Sequence, residues 1–262
     1  MPFVDVPGAR LYYKHEGRED APALVLLNSI GTDMDLWDPA LPALRERFAL
    51  IRIDTRGHGA SVAEAGEFTM PMLADDVLAV ADALGIAQFA LAGVSLGGMI
   101  GMELALRHPG RLTGLALVCT SATMDSAAWQ QRIGTIRAKG MAGIADLAMG
   151  RFLSDDFVAA HPEVYATIRR QLLTMDAEAY IGCGAAIRDM DLAGRIADIT
   201  CPTLVVTGSR DTSTPYEGHG DHLVAAIPRA VHAPIDAAHL APLEAPDALA
   251  GQIINFLSRL NS

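Results

Sequence analysis

Gly93-Val94-Ser95-Leu96-Gly97, followed by Gly98, is the segment best suited to chemistry. A serine between two glycines at this spacing fits a turn from strand to helix. Small residues two before and two after let the chain reverse without collision, and the hydroxyl is lifted out of the fold. The helix start behind it offers free N–H groups to a developing oxyanion. In a chain with 24 glycines the bare pattern also arises by chance. Its placement decides for function: Gln88 to Val94 reads as a strand and Leu96 to Arg107 as a helix.

Serine is a poor nucleophile without a base, and the base needs an orienting acid. On a strand–turn–helix serine of this type the acid and then the histidine follow in the chain. Asp211 comes directly after the apolar run Thr203–Thr207 and is the expected acid; the competing role is a turn or cap aspartate before the next helix. Of eight histidines, His239 has the required order and place, just past the last strand, and is the expected base. His219 and His222, with Asp221, resemble a metal set only in spacing, and such a cluster is more often a solvated face; no metal is expected. Oxyanion donors are expected from the backbone N–H groups of Leu96 and of Ile30, in the loop Asn28-Ser29-Ile30-Gly31.

These residues need a scaffold. Leu11–Glu16, Ala23–Asn28, Ala49–Asp54, Gln88–Val94 and Leu112–Cys119 read as strands, and Leu36–Arg47, Met70–Leu84 and Leu96–Arg107 as helices between them. That alternation predicts an α/β fold with a parallel sheet of right-handed crossovers. The rhythm changes between about Ser121 and Asp198. Helical periodicity continues there (129–139, 144–153, 162–174, 177–188), without a strand. Strand signals return at Thr203–Thr207 and Val231–Ile235, with helices near 217–227 and 246–257. The expectation is a core of residues 1–122 and 199–262 with a helical cap, 123–198, inserted in it.

The chain has 262 residues, 51% of them hydrophobic, which is enough for one large core. A net charge of −11 disfavours nucleic acid as a partner, and also anionic substrates unless a local cation compensates. The three cysteines, Cys119, Cys183 and Cys201, are odd in number and sit among apolar neighbours, which suggests buried thiols in a reducing setting. The N-terminal residues lack a basic then apolar leader, and the most apolar stretch, 91–106, contains Ser95 and Glu103 and falls short of a membrane span. A cytoplasmic protein with no membrane partner is expected.

Several segments together resemble one family. They are Asn28-Ser29-Ile30-Gly31-Thr32-Asp33, Trp37-Asp38, Asp54-Thr55-Arg56-Gly57-His58-Gly59-Ala60-Ser61 and Gly93-Val94-Ser95-Leu96-Gly97-Gly98. Trp129-Gln130-Gln131-Arg132-Ile133, Cys183-Gly184-Ala185-Ala186-Ile187-Arg188-Asp189, Gly208–Pro215 and Asp236–Leu240 continue the match over nearly the whole chain. The likeness is to 3-oxoadipate enol-lactonases of the α/β-hydrolase superfamily. The segments around Arg56 and Ser95 are common to many α/β hydrolases. The Asn-Ser start of the first loop, where many relatives have His-Gly, and the two insertion segments are more specific. Two places depart from the family: Ala241-Pro242 after the histidine, where Ser-Asn is frequent, and Tyr216 in place of a second proline.

The resemblance implies an α/β-hydrolase fold with a mostly parallel, eight-stranded sheet and a helical cap. It implies hydrolysis of 3-oxoadipate enol-lactone to 3-oxoadipate in aromatic catabolism by the β-ketoadipate route, without a cofactor. The partner is then a small anionic lactone or ester. Arg132 is the leading candidate for its carboxylate, because it shares a helix face with Trp129; a surface arginine beside a core tryptophan is the equal alternative. Arg188 is weaker, with Asp189 and Asp191 near it, and Arg56 reads as a structural arginine. Competing functions are a carboxylesterase or perhydrolase with the same triad, or a non-catalytic binding protein on this fold.

Overall fold

A computed structural model describes residues 2–18 and 20–260. Strands β1 (Phe3–Val6) and β2 (Ala9–Gly17) form an antiparallel ribbon, and β3 (Ala23–Leu27) enters the sheet interior. β4 (Ala49–Ile53), the two-residue β5 (Val62–Ala63), β6 (Phe89–Val94), β7 (Leu112–Val118), β8 (Thr203–Gly208) and β9 (Val231–Ile235) complete it. The spatial order is β1-β2-β4-β3-β6-β7-β8-β9, with β5 pairing β2 off this path. The eight-strand path matches expectation; β5 is the addition, too short to leave a sequence signal. From β4 to β9 all neighbours are parallel. β3, β4, β6 and β8 are buried nearly throughout, as their continuous apolar runs require of strands covered on both faces.

Parallel register brings the strand ends to one edge. Leu27 lies beside Gly93, Gly93 beside Leu117, Val118 beside Val206 and Gly208 beside Ile235. The loops that follow therefore cluster outside the carboxyl ends of the strands, where sheets of this kind bind ligands.

Three helices flank the first half: α1 (Leu41–Leu44), α2 (Met70–Ala83) and α3 (Leu96–Arg107). The continuous helix expected over 36–47 is instead a 3-10 segment, Met34–Ala40, running into the single turn of α1. Pro39 and Pro42 explain this, since each lacks an N–H and crowds the preceding turn. Trp37 is fully buried there and donates its indole N–H to the Leu27 carbonyl at 3.1 Å.

Between β7 and β8 come α4 (Ser126–Lys139), α5 (Ala142–Phe152), α6 (Asp155–Ala160), α7 (Pro162–Thr174) and α8 (Ala177–Asp189). The short α6 gave no periodic signal. The insertion has a closed neck: Thr123 bridges Asp191, and Leu192 N–H donates to the Ala122 carbonyl at 3.0 Å. Buried apolar side chains run without a break from the sheet into the insertion, from Val94 and Met99 to Ile133, Leu172 and Ile187.

The final third holds α9 (Asp221–Ala226), α10 (Ala241–Glu244) and α11 (Pro246–Ser258). The helix expected near 217–227 is broken. Tyr216–Gly220 forms a widened turn in which Gly218 has φ 85°, and only α9 is regular. A left-handed glycine inside the segment ends helical propagation. The three cysteines are buried and free. No helix among the described residues is long and apolar enough to cross a membrane.

Candidate active site

Ser95 sits between β6 and α3 with φ 54° and ψ −113°, a conformation that L side chains rarely adopt. Such a backbone costs on the order of 1–3 kcal/mol and persists only where its surroundings impose it. Here they do. Ser95 N–H donates to the Val118 carbonyl at 2.9 Å, while its carbonyl accepts from Thr120 Oγ1 at 2.6 Å and Met99 N–H at 3.0 Å. A Cβ on Gly93 would run into the Gly97 backbone, and one on Gly97 into Leu27. Both flanking glycines are thus demanded by the crossing of helix over strand. Leu96 N–H, at the head of α3, and Ile30 N–H, in the neighbouring loop, make no hydrogen bond among the described residues.

Asp211 and His239 come together across 28 residues of sequence. His239 Nδ1 lies 3.1 and 3.0 Å from the two Asp211 carboxylate oxygens. Asp211 also accepts from Ser213 N–H (2.7 Å), Thr214 N–H (3.1 Å) and Thr214 Oγ1 (2.8 Å). Burial alone would raise the Asp211 carboxyl. The charge and hydrogen bonding of His239, with the Thr214 donors, outweigh that and hold it well below the usual carboxylate range. The aspartate is therefore ionised and holds a hydrogen on Nδ1, so that in the neutral form of the ring Nε2 is the acceptor.

The loop bearing His239 is gripped from several sides. Arg210 N–H donates to the Ala237 carbonyl at 3.0 Å, and Gly208 passes so close under Ala237 and Ala238 that a side chain has no room. Glu244, whose side chain is fully buried, accepts from Ala238 N–H at 3.0 Å and from Ser154 N–H of the insertion at 2.6 Å. Phe152 stacks on the His239 ring with centroids 6.1 Å apart and planes 14° from parallel.

Ser95 and His239 line one cavity of about 380 Å³, together with Ile30, Trp129, Arg132 and Thr214. Among the described residues the hydrogen bonds of the His239 ring go to Asp211 alone, and the Ser95 hydroxyl makes none. Such contacts are often loose in unliganded enzymes and tighten around substrate. Arg132 lies with its guanidinium carbon 4.5 Å from the centre of the Trp129 ring and donates to Tyr180 Oη at 3.3 Å. This is the shared helix face that their spacing predicts, turned toward the cavity. Arg188 is not in the cavity; it pairs with Glu67 and Asp189 on the surface at 2.9 and 2.6 Å. Arg56 forms a buried two-pronged pair with Asp76 at 2.8 and 2.6 Å, a structural role.

Sequence reasoning missed four groups at this site. Thr214 holds the acid; a threonine three residues after an aspartate in a turn was the available signal. Phe152 and Arg151 reach the cavity from α5, and no local pattern marks them. His219 reaches it from the broken turn and bonds through Nδ1 to Ser121 Oγ at 2.8 Å; the sequence had set it on a solvated helix face.

Comparison with known proteins gives the family of the fold that carries these residues. The α/β hydrolase fold model matches residues 22–246. A 3-oxoadipate enol-lactonase of Acinetobacter baylyi is 31% identical over 252 residues, covering 96% of this chain and 94% of its own. The crystal structure of the enol-lactonase from Burkholderia xenovorans LB400 is 36% identical with a TM-score of 0.95, covering 98% of this chain and 100% of that one. A hydrolase from Pseudomonas aeruginosa is 37% identical with a TM-score of 0.93, covering 97% of each chain.

Proposed function

This chain belongs to the α/β-hydrolase family, with 3-oxoadipate enol-lactonases among its full-length relatives, and acts on esters or lactones; we propose that its substrate is 3-oxoadipate enol-lactone and that Ser95, His239 and Asp211 carry the reaction. The observation that bears most weight is the ionised Asp211 bonded to His239 Nδ1, at the rim of a cavity that also holds the strained Ser95. Arg132 supports the anionic substrate. It is a cation laid against an indole wall in that cavity, on a protein whose overall charge is −11.

In the proposed mechanism Ser95 Oγ attacks the lactone carbonyl as His239 Nε2 takes its proton. The N–H groups of Ile30 and Leu96 receive the oxyanion. Collapse breaks the ring C–O bond. The enol oxygen leaves, regains the proton from His239 and tautomerises to the ketone, while the acyl group stays on Ser95. A water then gives its proton to His239 and attacks the ester, and release of Ser95 yields the free acid. No cofactor takes part in these steps.

The test is turnover of freshly generated enol-lactone, read as loss of its absorbance, beside a panel of p-nitrophenyl esters. Selective turnover of the lactone is expected, with a drop of several orders of magnitude in Ser95→Ala. Indifference to the lactone with fast cleavage of simple esters would point to a carboxylesterase. Near-full lactone turnover by Ser95→Ala would remove the serine assignment.

A further inference from the structure

The loop after β3 is pinned on both sides of Ile30 by groups outside the triad. Before Ile30, the Ser29 carbonyl accepts from Thr32 N–H (3.2 Å), Thr32 Oγ1 (2.9 Å) and Asn28 Nδ2 (3.0 Å). After it, Gly31 N–H donates to His58 Nε2 at 3.1 Å. The Asn28 amide reaches the Thr32 carbonyl with its second N–H, and its oxygen accepts from Thr55 N–H (3.3 Å) and Thr55 Oγ1 (2.9 Å). Every donor and acceptor of a fully buried asparagine is thereby used. The Asn28 carbonyl accepts from Gly97 N–H at 3.2 Å, tying this loop to the nucleophile turn.

His58 can serve only in one state. Its Nδ1 lies 3.1 Å from the Arg56 carbonyl, which can only accept, so Nδ1 carries the hydrogen and Nε2 keeps the lone pair that Gly31 needs. Burial favours the neutral ring and pulls its pKa from 6.5 down to about 4. A peptide plane is rigid, so fixing the Ser29 carbonyl fixes the direction of the Ile30 N–H. Holding the next plane through Gly31 prevents the loop from relieving the constraint by turning about Ile30.

We propose that His58, with Thr32 and Asn28, positions the Ile30 N–H as an oxyanion donor, so that these three side chains act on the transition state without touching substrate. This rests on the serine mechanism and on Ile30 as a donor. It accounts for an Asn-Ser-Ile-Gly-Thr loop matched to a histidine 27 residues on.

The test compares His58→Leu, His58→Gln and Thr32→Val, with Ser95→Ala as reference. Lactone kinetics, thermal melting and affinity for a small boronic acid are read; the boronate adds to the serine and mimics the tetrahedral oxyanion. His58→Leu is expected to lower kcat about 10- to 100-fold with KM within about twofold, and to weaken the boronate in parallel. His58→Gln, which can accept at the same place, should recover most of both. Thr32→Val should show the same pattern, severalfold in size, and stands in if His58→Leu fails to fold. A folded His58→Leu, or in its absence Thr32→Val, with unchanged kcat and boronate affinity would overturn the proposal while an inactive Ser95→Ala left the mechanism standing. Loss of melting temperature with kcat retained would also overturn it. An active Ser95→Ala would remove the mechanism and this inference together.

Discussion

The Ser29 hydroxyl is buried without a hydrogen-bond partner among the described residues, although its own carbonyl is crowded with donors. An unpaired buried hydroxyl contributes nothing that an apolar group of similar size would lack. Ser29→Ala should therefore leave stability within about 1 kcal/mol of the parent or slightly raise it, with turnover retained; chemical denaturation checks this, and a loss above about 2 kcal/mol would mean a hidden partner. His58 behaves differently, because its neutrality is linked to folding. Its folded pKa, about 4, lies below its ordinary 6.5, so the unfolded chain takes up the proton first as pH falls. Stability is intact above about 6.5 and drains away toward 4, by up to about 3 kcal/mol. Asp54 runs the other way. Burial raises its carboxyl to about 6, so the folded chain protonates first and acidification through that range favours folding. Subtracting the stability curve of His58→Gln from that of the parent isolates the histidine. The difference should shift steadily against the parent between pH 6.5 and 4, and a difference flat in pH would contradict the buried neutral ring.

At the scale of elements, the turn from β6 to α3 makes one of the tightest demands among the described residues. Gly93→Ala would force the new methyl into the Gly97 backbone, where nothing can yield cheaply. Overpacking of this kind costs about 1–3 kcal/mol, and the displaced serine should lose most of its turnover. Melting and lactone assays on one preparation read both; a stable, fully active Gly93→Ala would mean the turn is looser than drawn. This turn is also what made the fold legible. A strand of continuous apolar residues, two glycines and a helix can be read locally, and so can β3, β8 and most of the insertion's helices. Elements whose form depends on backbone detail were less legible: Pro39 broke the expected helix over 36–47, and Gly218 broke the one over 217–227. The pairing of Asp211 with His239 was legible through chain order and Thr214 lay within local reach of Asp211, whereas the contacts of Phe152 and His58 arise only across space. Periodicity carries no information about those.

For the whole molecule, the net charge and the proposed anionic substrate are in tension. Acidic side chains outnumber basic ones 31 to 20, yet the cavity presents Arg132 and Arg151. For the proposed anionic lactone, a cation inside an anionic shell would serve selection: the anion must be one that reaches it. Arg132→Ala should raise KM for the anionic lactone about tenfold or more while leaving KM for a neutral ester of similar size nearly unchanged. Equal effects on both would place Arg132 in the packing of Trp129 and Tyr180 instead. The insertion contributes both arginines, the tryptophan and Phe152 to the cavity wall, whereas the core contributes Ser95, His239 and Ile30, with Asp211 behind His239. The proposed reacting groups thus follow strand ends held in register by the sheet, and the cavity wall facing them is helical.

That division meets at the neck, where Thr123 lies against Asp191 and the chain leaves the sheet and returns at nearly one point. What hangs between those two residues is nonetheless bound to the core: Ser154 N–H reaches Glu244, Phe152 lies on the His239 ring and Gln171 bonds Asp33. A laboratory graft cut at Thr123 and Asp191 would therefore have to bring its own partners for Glu244 and the His239 ring, or the loop it no longer clasps would slacken.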